Sequence, residues 1–235
     1  MNTFKVVSDL ICPWCYIGKR RLEAALRQLP KGTAVEVSWH PFQLNPEMPR
    51  RGMDRKEYCQ RKFGSWEKCQ QMFTEISSVG KTVGIEFHFE KQPTIPNTLE
   101  AHRVIWLAGR EGCQGAVMEA LFRAYFCDGV NLSNRGGLLE VSTNAGLDRK
   151  LVDRLLNSDE GVAEVWAEEK EVKSLGISSV PLFIIQETLA VSGAQPPEAI
   201  LKAFEQAQAS RGKQEMLGQD AERQKTRGPR KPQPH

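Results

Sequence analysis

The stretch FKVVSDLICPWC, residues 4–15, joins a short β-rich run to two cysteines that are separated by a proline and a tryptophan. Proline suits the first turn of an α-helix, because the N–H that it lacks would have no partner there. The stretch therefore predicts a strand that turns into a helix beginning at Pro13. A helix N-terminus carries about half a positive charge, which favours a thiolate over a thiol. Cys12 and Cys15 are accordingly our candidates for a redox-active pair.

The residues that follow continue this pattern into a second strand. Apolar residues from Ile17 to Leu29 recur at helical spacing and stop at the sequence PKG, residues 30–32. Val35, Val37 and Trp39 then alternate with polar residues, which is typical of a half-buried strand. The first forty or so residues thus predict a parallel βαβ unit, with the cysteines at the carboxyl end of its first strand.

Helical periodicity dominates the middle of the chain, and a strand pattern returns near its end. Asn97 is predicted to cap one of the helices, with Glu100 reaching back as in a capping box. His102 belongs to the buried face of that helix. The predicted helices span residues 55–83, 97 onward, 115–127, 138–145, 148–157 and 161–174. A hairpin follows at 180–185 and 189–191, and a last helix runs from the two prolines at 196–197 to about residue 206.

The predicted division of the chain has four parts. Residues 1–45 and 161–208 form the two α/β parts, and residues 46–160 form a helical insertion between them. Residues 209–235 lack aromatic residues and apolar periodicity, so we expect a disordered tail.

The composition limits the possible classes of function. The formal net charge of +3 arises in residues 211–235, whose seven basic and three acidic residues leave a body of net charge −1. A nearly neutral body does not fit nucleic-acid binding. The chain has no apolar run of about 20 residues that could cross a membrane, and its start lacks the features of a secretory signal. We expect a cytoplasmic protein, in which a persistent cysteine pair is more often catalytic than structural.

Two cysteines at this spacing also form half of many zinc sites, and zinc normally takes four protein ligands. The four histidines show no paired spacing close to the motif, so we expect no bound metal and no other bound cofactor. His40 and His88 are interpreted as surface or core residues of strand-like segments. The remaining cysteines are interpreted as small apolar residues, with a metal site or a second redox pair as the weaker alternative. They are Cys59, Cys69, Cys113 and Cys127.

The order of these elements is the layout of the thioredoxin fold, an α/β fold, with a helical insertion of the kind that the DsbA family adds. The chain resembles that family, and in particular its cytosolic FrnE-like branch. The matching segments are SDLICPWCYIGKRRLE, WHPFQLNPEMP, MDRKEYCQRKFGS, PNTLEAHR, LFRAYFCDG, AGLDR and VSGAQPPE, which extend over nearly the whole body of the chain.

This resemblance implies a thiol–disulfide oxidoreductase that exchanges disulfides with protein, peptide or small thiols. Cys12 would be the exposed attacking sulfur and Cys15 the buried resolving sulfur. Val180-Pro181 would be a cis peptide beside them, with the backbone of residue 180 free to pair with a substrate peptide. Trp14 and Phe42 would contribute to an apolar substrate groove. The resemblance leaves the oligomeric state open.

Two other functions remain as alternatives. The 2-hydroxychromene-2-carboxylate isomerases and kappa-class glutathione transferases share this architecture, and they would make glutathione a co-substrate and place Asn97 at the active site. A chaperone-like module that binds unfolded peptides without catalysis is the other alternative. Lys19, Arg20 and Arg21 would help to bind anionic thiols or form a solvated face, and we favour the solvated face. Ser8 and Asp9 are interpreted mainly as turn residues.

Overall fold

The computed structural model describes the backbone of residues 1–226 and the side chains of residues 1–211. Its first half begins with β1 (Asn2–Ser8), α1 (Pro13–Leu26), β2 (Val35–Pro41) and β3 (Met53–Asp54). The helices and the short strand that follow are α2 (Arg55–Phe63), α3 (Trp66–Thr82), β4 (Thr94–Ile95), α4 (Leu99–Arg110), α5 (Gln114–Phe126), α6 (Arg135–Asn144), α7 (Arg149–Leu156) and α8 (Val162–Ser174). The chain returns to the sheet with β5 (Leu182–Ile185), β6 (Leu189–Ser192) and α9 (Pro197–Thr226).

The main sheet contains four strands in the order β2-β1-β5-β6. β1 and β2 are parallel, from Asn2 opposite Val35 to Ser8 opposite Pro41. β5 pairs with the other edge of β1 in the antiparallel direction, and β6 completes a hairpin with β5. The predicted βαβ unit and the predicted hairpin are both confirmed. β1 is therefore central, and its carboxyl end leads into α1.

The core fixes α1 and α9 to the sheet. Phe4 of β1 stacks on Phe204 of α9 with ring centroids 5.5 Å apart. Ile17 and Ala25 of α1 are fully buried in the same apolar cluster. Pro13 is the first residue of α1, as predicted. This packing holds the N-terminus of α1, and with it the cysteine motif, at the carboxyl end of β1.

The helix predicted over residues 55–83 is two helices. Gly64 has a φ of 90°, a left-handed conformation that glycine adopts without a steric penalty, and it ends α2. Ser65 then caps α3, because its hydroxyl accepts a hydrogen bond from the Lys68 N–H at 3.2 Å. A glycine that ends one helix and a serine that caps the next therefore interrupt the helix, although the apolar periodicity continues on both sides.

The capping box predicted for α4 is wrong in its second half. The Asn97 side chain accepts a hydrogen bond from the Leu99 N–H at 2.9 Å, so it does satisfy a donor at the start of the helix. The Glu100 carboxylate instead accepts a hydrogen bond from Arg103 at 2.7 Å. An arginine three residues further along the helix competes successfully for that carboxylate.

The last helix is longer than predicted. α9 continues to Thr226, past the residue near 206 where we expected its end and through the first part of the segment predicted as a disordered tail. Residues 207–226 lack proline, and many of them have good helix propensity. This composition permits a helix without an apolar face. The rest of the predicted tail lies outside the described residues. The division of the chain at residues 45, 160 and 208 stays a prediction.

None of the helices in the described part of the chain combines the length and apolar character needed to cross a membrane.

Gly80 of α3 provides a test of the packing between α3 and the segment that follows it. A Cβ at this position would lie 2.5 Å from the ring of Phe87. We expect Gly80→Ala to lower the free energy of unfolding by about 1–3 kcal/mol, because overpacking forces the core to shift. Urea denaturation measures this change.

Gly115 of α5 is the matched control, because nothing lies within 4 Å of a Cβ built there. Gly115→Ala is expected to be neutral or to stabilise the protein by up to about 1 kcal/mol. Equal effects of the two substitutions would contradict this account of Gly80.

Candidate active site

The two motif cysteines lie one helical turn apart at the N-terminus of α1. Cys12 precedes the helix in an extended conformation, and the Cys15 N–H donates a hydrogen bond to the Cys12 carbonyl at 3.0 Å. Both are free thiols. Cys15 is completely buried, and Cys12 is 6% exposed. The expectation of an exposed Cys12 is therefore wrong, since the residue is buried at the groove that it lines.

The Val180-Pro181 peptide bond is cis, as the resemblance implied. The Cys12 sulfur lies 3.7 Å from the Val180 carbonyl oxygen, within range of a weak hydrogen bond from the thiol. The Pro181 carbonyl accepts a hydrogen bond from the Gly193 N–H at 2.8 Å, which ties the loop to the end of β6. A Cβ at Gly18 would lie 3.1 Å from the Pro181 ring, so α1 approaches the loop closely. The sequence thus folds the loop directly against the cysteine motif.

A groove of about 270 Å³ begins at Cys12. Its walls come mainly from α2, α3 and the segments beside them, and most of the lining side chains are apolar. Trp14 lies at the rim and is 39% exposed. Arg55 and Lys62 supply positive charge. The lining residues are Ile11, Cys12, Pro13, Trp14, Leu44, Arg55, Tyr58, Cys59, Lys62, Phe63, Met72, Phe73, Ile76, Phe89, Ile95 and Phe126.

The environment of Cys15 favours its protonated form. Burial raises the pKa of the Cys15 thiol well above its usual value, and the adjacent Cys12 sulfur adds to the increase. The Ser8 hydroxyl and the Asp9 backbone face the Cys15 sulfur and lower its pKa to a smaller extent. An attack by Cys15 on another sulfur therefore requires the loss of a tightly held proton.

The sequence profile of the DsbA-like thioredoxin domain matches residues 3–205. The chain belongs to the DsbA-like thioredoxin domain family. Its α/β fold, a thioredoxin fold with a helical insertion, is confirmed. A probable DsbA oxidoreductase from Streptomyces coelicolor is 30% identical in sequence, and the match covers 89% of this chain and 91% of that protein with a TM-score of 0.83.

Two further solved structures share the fold at lower sequence identity. The cytosolic disulfide reductase DsbM from Pseudomonas aeruginosa, solved with GSH, is 15% identical with a TM-score of 0.59, over 90% of this chain and 98% of that protein. A 2-hydroxychromene-2-carboxylate isomerase is 13% identical with a TM-score of 0.62, over 93% of this chain and 98% of that protein. Identities this low establish a common fold.

Two of the residues predicted to bind substrate lie elsewhere in this DsbA-like protein. Phe42 is buried with Val7 and Val172 in a small cluster behind the cis-proline loop, and it is not among the residues that line the groove. Asn97 donates a hydrogen bond from its amide to the Met48 carbonyl at 2.7 Å, while its oxygen caps α4. Both polar groups of Asn97 are thus engaged in structural contacts.

The basic residues of α1 do not form a solvated face. Lys19 is buried, and its ammonium group lies 2.6 Å from the Glu119 carboxylate of α5. Arg20 pairs with the same carboxylate, and Arg21 donates a hydrogen bond to the Ala194 carbonyl. These contacts clamp α1 to the helical insertion and to the turn before α9. The three basic side chains are therefore poorly placed to bind an anionic thiol in the groove.

Sequence reasoning undervalued three polar residues close to the dithiol. Ser8, Asp9 and His102 are buried, and the Asp9 carboxylate accepts a hydrogen bond from the Leu44 N–H at 2.8 Å. Asp9 begins the predicted turn, whereas Ser8 is the last residue of β1. His102 does lie on a buried helix face. The signal available in the sequence was the presence of polar residues at positions where the pattern required burial.

Cys59 and Cys69 are buried on α2 and α3, where the two helices pack together. Burial and the neighbouring Cys69 thiol raise the pKa of Cys59 to about 12, despite the opposing effect of the Arg55 cation. In the described part of the chain, no group of three or more potential metal ligands comes together. Cys59 lines the groove, so a reactive thiol there would compete with Cys12.

We expect Cys59 to react slowly with iodoacetamide in the folded, reduced protein. With a pKa of about 12, roughly 10⁻⁴ of this thiol is ionised at pH 8, and its reaction rate should rise with pH up to that value. Mass spectrometry of peptides from time points measures the rate. Cys113, which is partly exposed, provides the comparison. Equal labelling of the two cysteines at pH 8 would contradict the expected protection, and labelling in denaturant should remove the difference.

Proposed function

We propose that this protein is a thiol–disulfide oxidoreductase that acts through Cys12 and Cys15. The observation that carries the proposal is the position of the Cys12 sulfur. It lies at a helix N-terminus, 3.7 Å from the Val180 carbonyl, at the start of an apolar groove and one turn from a second thiol. A helix N-terminus carries partial positive charge, which suits a sulfur that must act as a nucleophile. Membership of a DsbA-like family and the Streptomyces coelicolor relative support the same chemistry.

The reaction consists of two exchanges of sulfur–sulfur bonds. The Cys12 thiolate attacks a substrate disulfide, a mixed disulfide forms, and one substrate sulfur leaves as a thiolate. Cys15 loses its proton and attacks the Cys12 sulfur, and the second substrate thiolate leaves. The protein has then lost two electrons to the substrate and holds a Cys12–Cys15 disulfide. The reverse sequence oxidises a substrate dithiol.

The apolar lining of the groove favours peptides with apolar side chains as substrates. An apolar side chain beside the reacting cysteine would be buried among aromatic and aliphatic residues. The backbone of Val180 would pair with the peptide, and Trp14 would cover it at the rim. The roles of Phe42 and Asn97 would be indirect, through the position of the cis-proline loop and of α4. No bound cofactor is required for this reaction, and glutathione would serve as a small co-substrate.

We assign the protein to the cytosolic FrnE-like branch, with reductase or isomerase work in the cytoplasm. A reducing compartment favours these directions over net oxidation. The cytosolic disulfide reductase DsbM, which has the same fold, supports this assignment.

A glutathione-dependent isomerase of the 2-hydroxychromene-2-carboxylate type is the second candidate, and the shared fold with such an isomerase favours it. That reaction needs one nucleophilic position and a bound glutathione thiol. Cys15 would then have no chemical task, and Asn97 would need a free amide. Both points favour dithiol exchange. An assay of chromene isomerisation beside an assay of insulin reduction separates the two candidates.

Replacement of each motif cysteine tests the proposed order of events. We expect Cys12→Ser to abolish insulin reduction. Cys15→Ser should instead accumulate a mixed disulfide at Cys12, because the resolving sulfur is missing, and intact-protein mass spectrometry would detect it. Cys113→Ser is the matched control and should retain the parent activity. Insulin reduction by Cys12→Ser at the parent rate would refute the mechanism.

A lysine at position 72 tests the proposed substrate class. Met72→Lys places a charge in the apolar wall of the groove, and we expect it to lower kcat/KM for a disulfide-linked apolar peptide by about tenfold, which corresponds to about 1.4 kcal/mol. The kcat/KM for oxidised glutathione should change little. Gln71→Lys, which adds the same charge at an exposed neighbouring position, is the control. Equal losses for both substrates would argue against peptide binding in the groove.

A further inference from the structure

The Ser8 hydroxyl faces the Cys15 sulfur, and the carboxylate of the adjacent Asp9 contacts His102. The exchange reaction described above uses none of these three buried side chains. Ser8, Asp9 and His102 are each no more than 3% exposed. The Asp9 Oδ1 atom lies 3.3 Å from the His102 Nε2 atom. In the described part of the chain, neither of these atoms nor the Ser8 Oγ atom has a well-formed hydrogen bond. A buried polar atom without a hydrogen-bond partner is destabilising, so three such atoms close together indicate a function.

A cavity of about 260 Å³ connects this group with the surface of the protein. Ser8 and His102 lie at its buried end. Glu168 and Arg110 line its exposed end, where their side chains are 38% and 60% accessible. The space is large enough for several water molecules. The cavity thus offers a route that water can enter, from Ser8 and His102 to solvent.

This cavity is separate from the substrate groove. The residues that line the groove at Cys12 and those that line the cavity have no member in common. Cys15 lines neither space, and the Ser8 hydroxyl faces its sulfur from the side of the cavity. During the resolving step the substrate occupies the groove and covers Cys12. The proton of Cys15 therefore needs an exit that the substrate does not block.

We propose that Asp9 and His102 hold the proton that Cys15 releases, and that this proton travels through the Ser8 hydroxyl and leaves by the cavity. The inference rests on the proposed function. In the step, the Cys15 S–H bond breaks and the proton passes to the Asp9–His102 pair. The Cys15 sulfur forms a bond with the Cys12 sulfur, and the bond from Cys12 to the substrate sulfur breaks. The substrate thiolate takes both electrons of that bond, and the reverse reaction returns the proton to Cys15.

Other titratable groups face the pair and contribute to its pH dependence. Cys15 of α1 adjoins the Ser8 hydroxyl, and His40 of β2 lies 3.4 Å from Glu168 of α8 along the cavity wall. Tyr125 of α5 faces Asp9, and Arg55 of α2 donates a hydrogen bond to the Tyr125 hydroxyl. Burial, with a smaller contribution from Asp9, raises the pKa of Tyr125 to about 12, so it stays protonated near neutral pH. His40 and Glu168 are partly exposed at the mouth of the cavity.

Rapid mixing of the reduced protein with excess dithiobis(nitrobenzoate) separates the two sulfur reactions. The parent and every variant in this test also carry Cys113→Ser and Cys127→Ser, because these partly exposed thiols would release the same coloured thiolate. The first release then reports the attack by Cys12, and the second reports the attack by Cys15. We expect His102→Gln to slow the second phase by about tenfold to hundredfold at pH 7, in the range of a lost proton acceptor. Its rate should then rise by about tenfold per pH unit and approach the parent rate at high pH. The first phase should keep the parent rate.

Two further variants complete the test. Ser8→Ala is a smaller change, and it should produce the same altered pH profile, so the inference remains testable if His102→Gln does not fold. Ser38→Ala is the matched control, because Ser38 lines the same cavity but its hydroxyl lies 3.0 Å from the His40 ring nitrogen. It should keep the parent profile.

The outcomes distinguish the inference from the proposed function. A parent protein without a Cys12 phase, or a Cys15→Ser variant that retains the second phase, would overturn the proposed function. A parent protein with two phases and a His102→Gln variant with the same pH profile would overturn the proton path alone. If His102→Gln lowered the rate of the second phase by the same factor at every pH, or lowered the rates of both phases, the cause would be a structural disturbance. That result would also overturn the proton path.

Discussion

The geometry of the active site depends on Asp9, the residue at which the chain turns from β1 into α1. Its backbone carbonyl accepts a hydrogen bond from the Cys12 N–H at 3.1 Å, and its carboxylate accepts one from the Leu44 N–H at 2.8 Å. A single residue thereby joins the end of β1, the start of α1 and the segment that follows β2. Because the carboxylate is fully buried, these contacts are not weakened by competition with water.

The helical insertion packs against α1 and lines one side of this site. Tyr16, next to the cysteine motif, stacks on Phe122 of α5 with ring centroids 5.0 Å apart, and its hydroxyl donates a hydrogen bond to Glu119 at 2.9 Å. α1 is thus fixed to α5 of the insertion. Cys12 lines an apolar groove, while Cys15 is buried in the core with the Ser8 hydroxyl facing its sulfur. The two sulfurs can therefore differ in access and in proton affinity although they lie one turn apart.

Local patterns accounted for much of this arrangement. Pro13 before a helical apolar stripe predicted α1, and the alternation at Val35, Val37 and Trp39 predicted β2. The cis peptide at Pro181 came from the resemblance to a family, because an X–Pro bond has only a small intrinsic tendency to be cis. The prediction that Phe42 lines the substrate groove was wrong for a physical reason. An aromatic residue after a strand gives no indication of the apolar cluster in which it will be buried.

The sequence by itself determined the order of strands and helices and the presence of a dithiol at a helix N-terminus, because spacing, proline and apolar periodicity act over a few residues. Only the tertiary structure decided that Cys12 faces a groove, that Lys19 is buried in an ion pair, and that His102 meets Asp9. His102 and Asp9 are far apart in sequence, and Lys19 and Glu119 even more so. Such pairs form when helices pack on the sheet at one angle and depth, which depends on the whole core and is not encoded in any single segment.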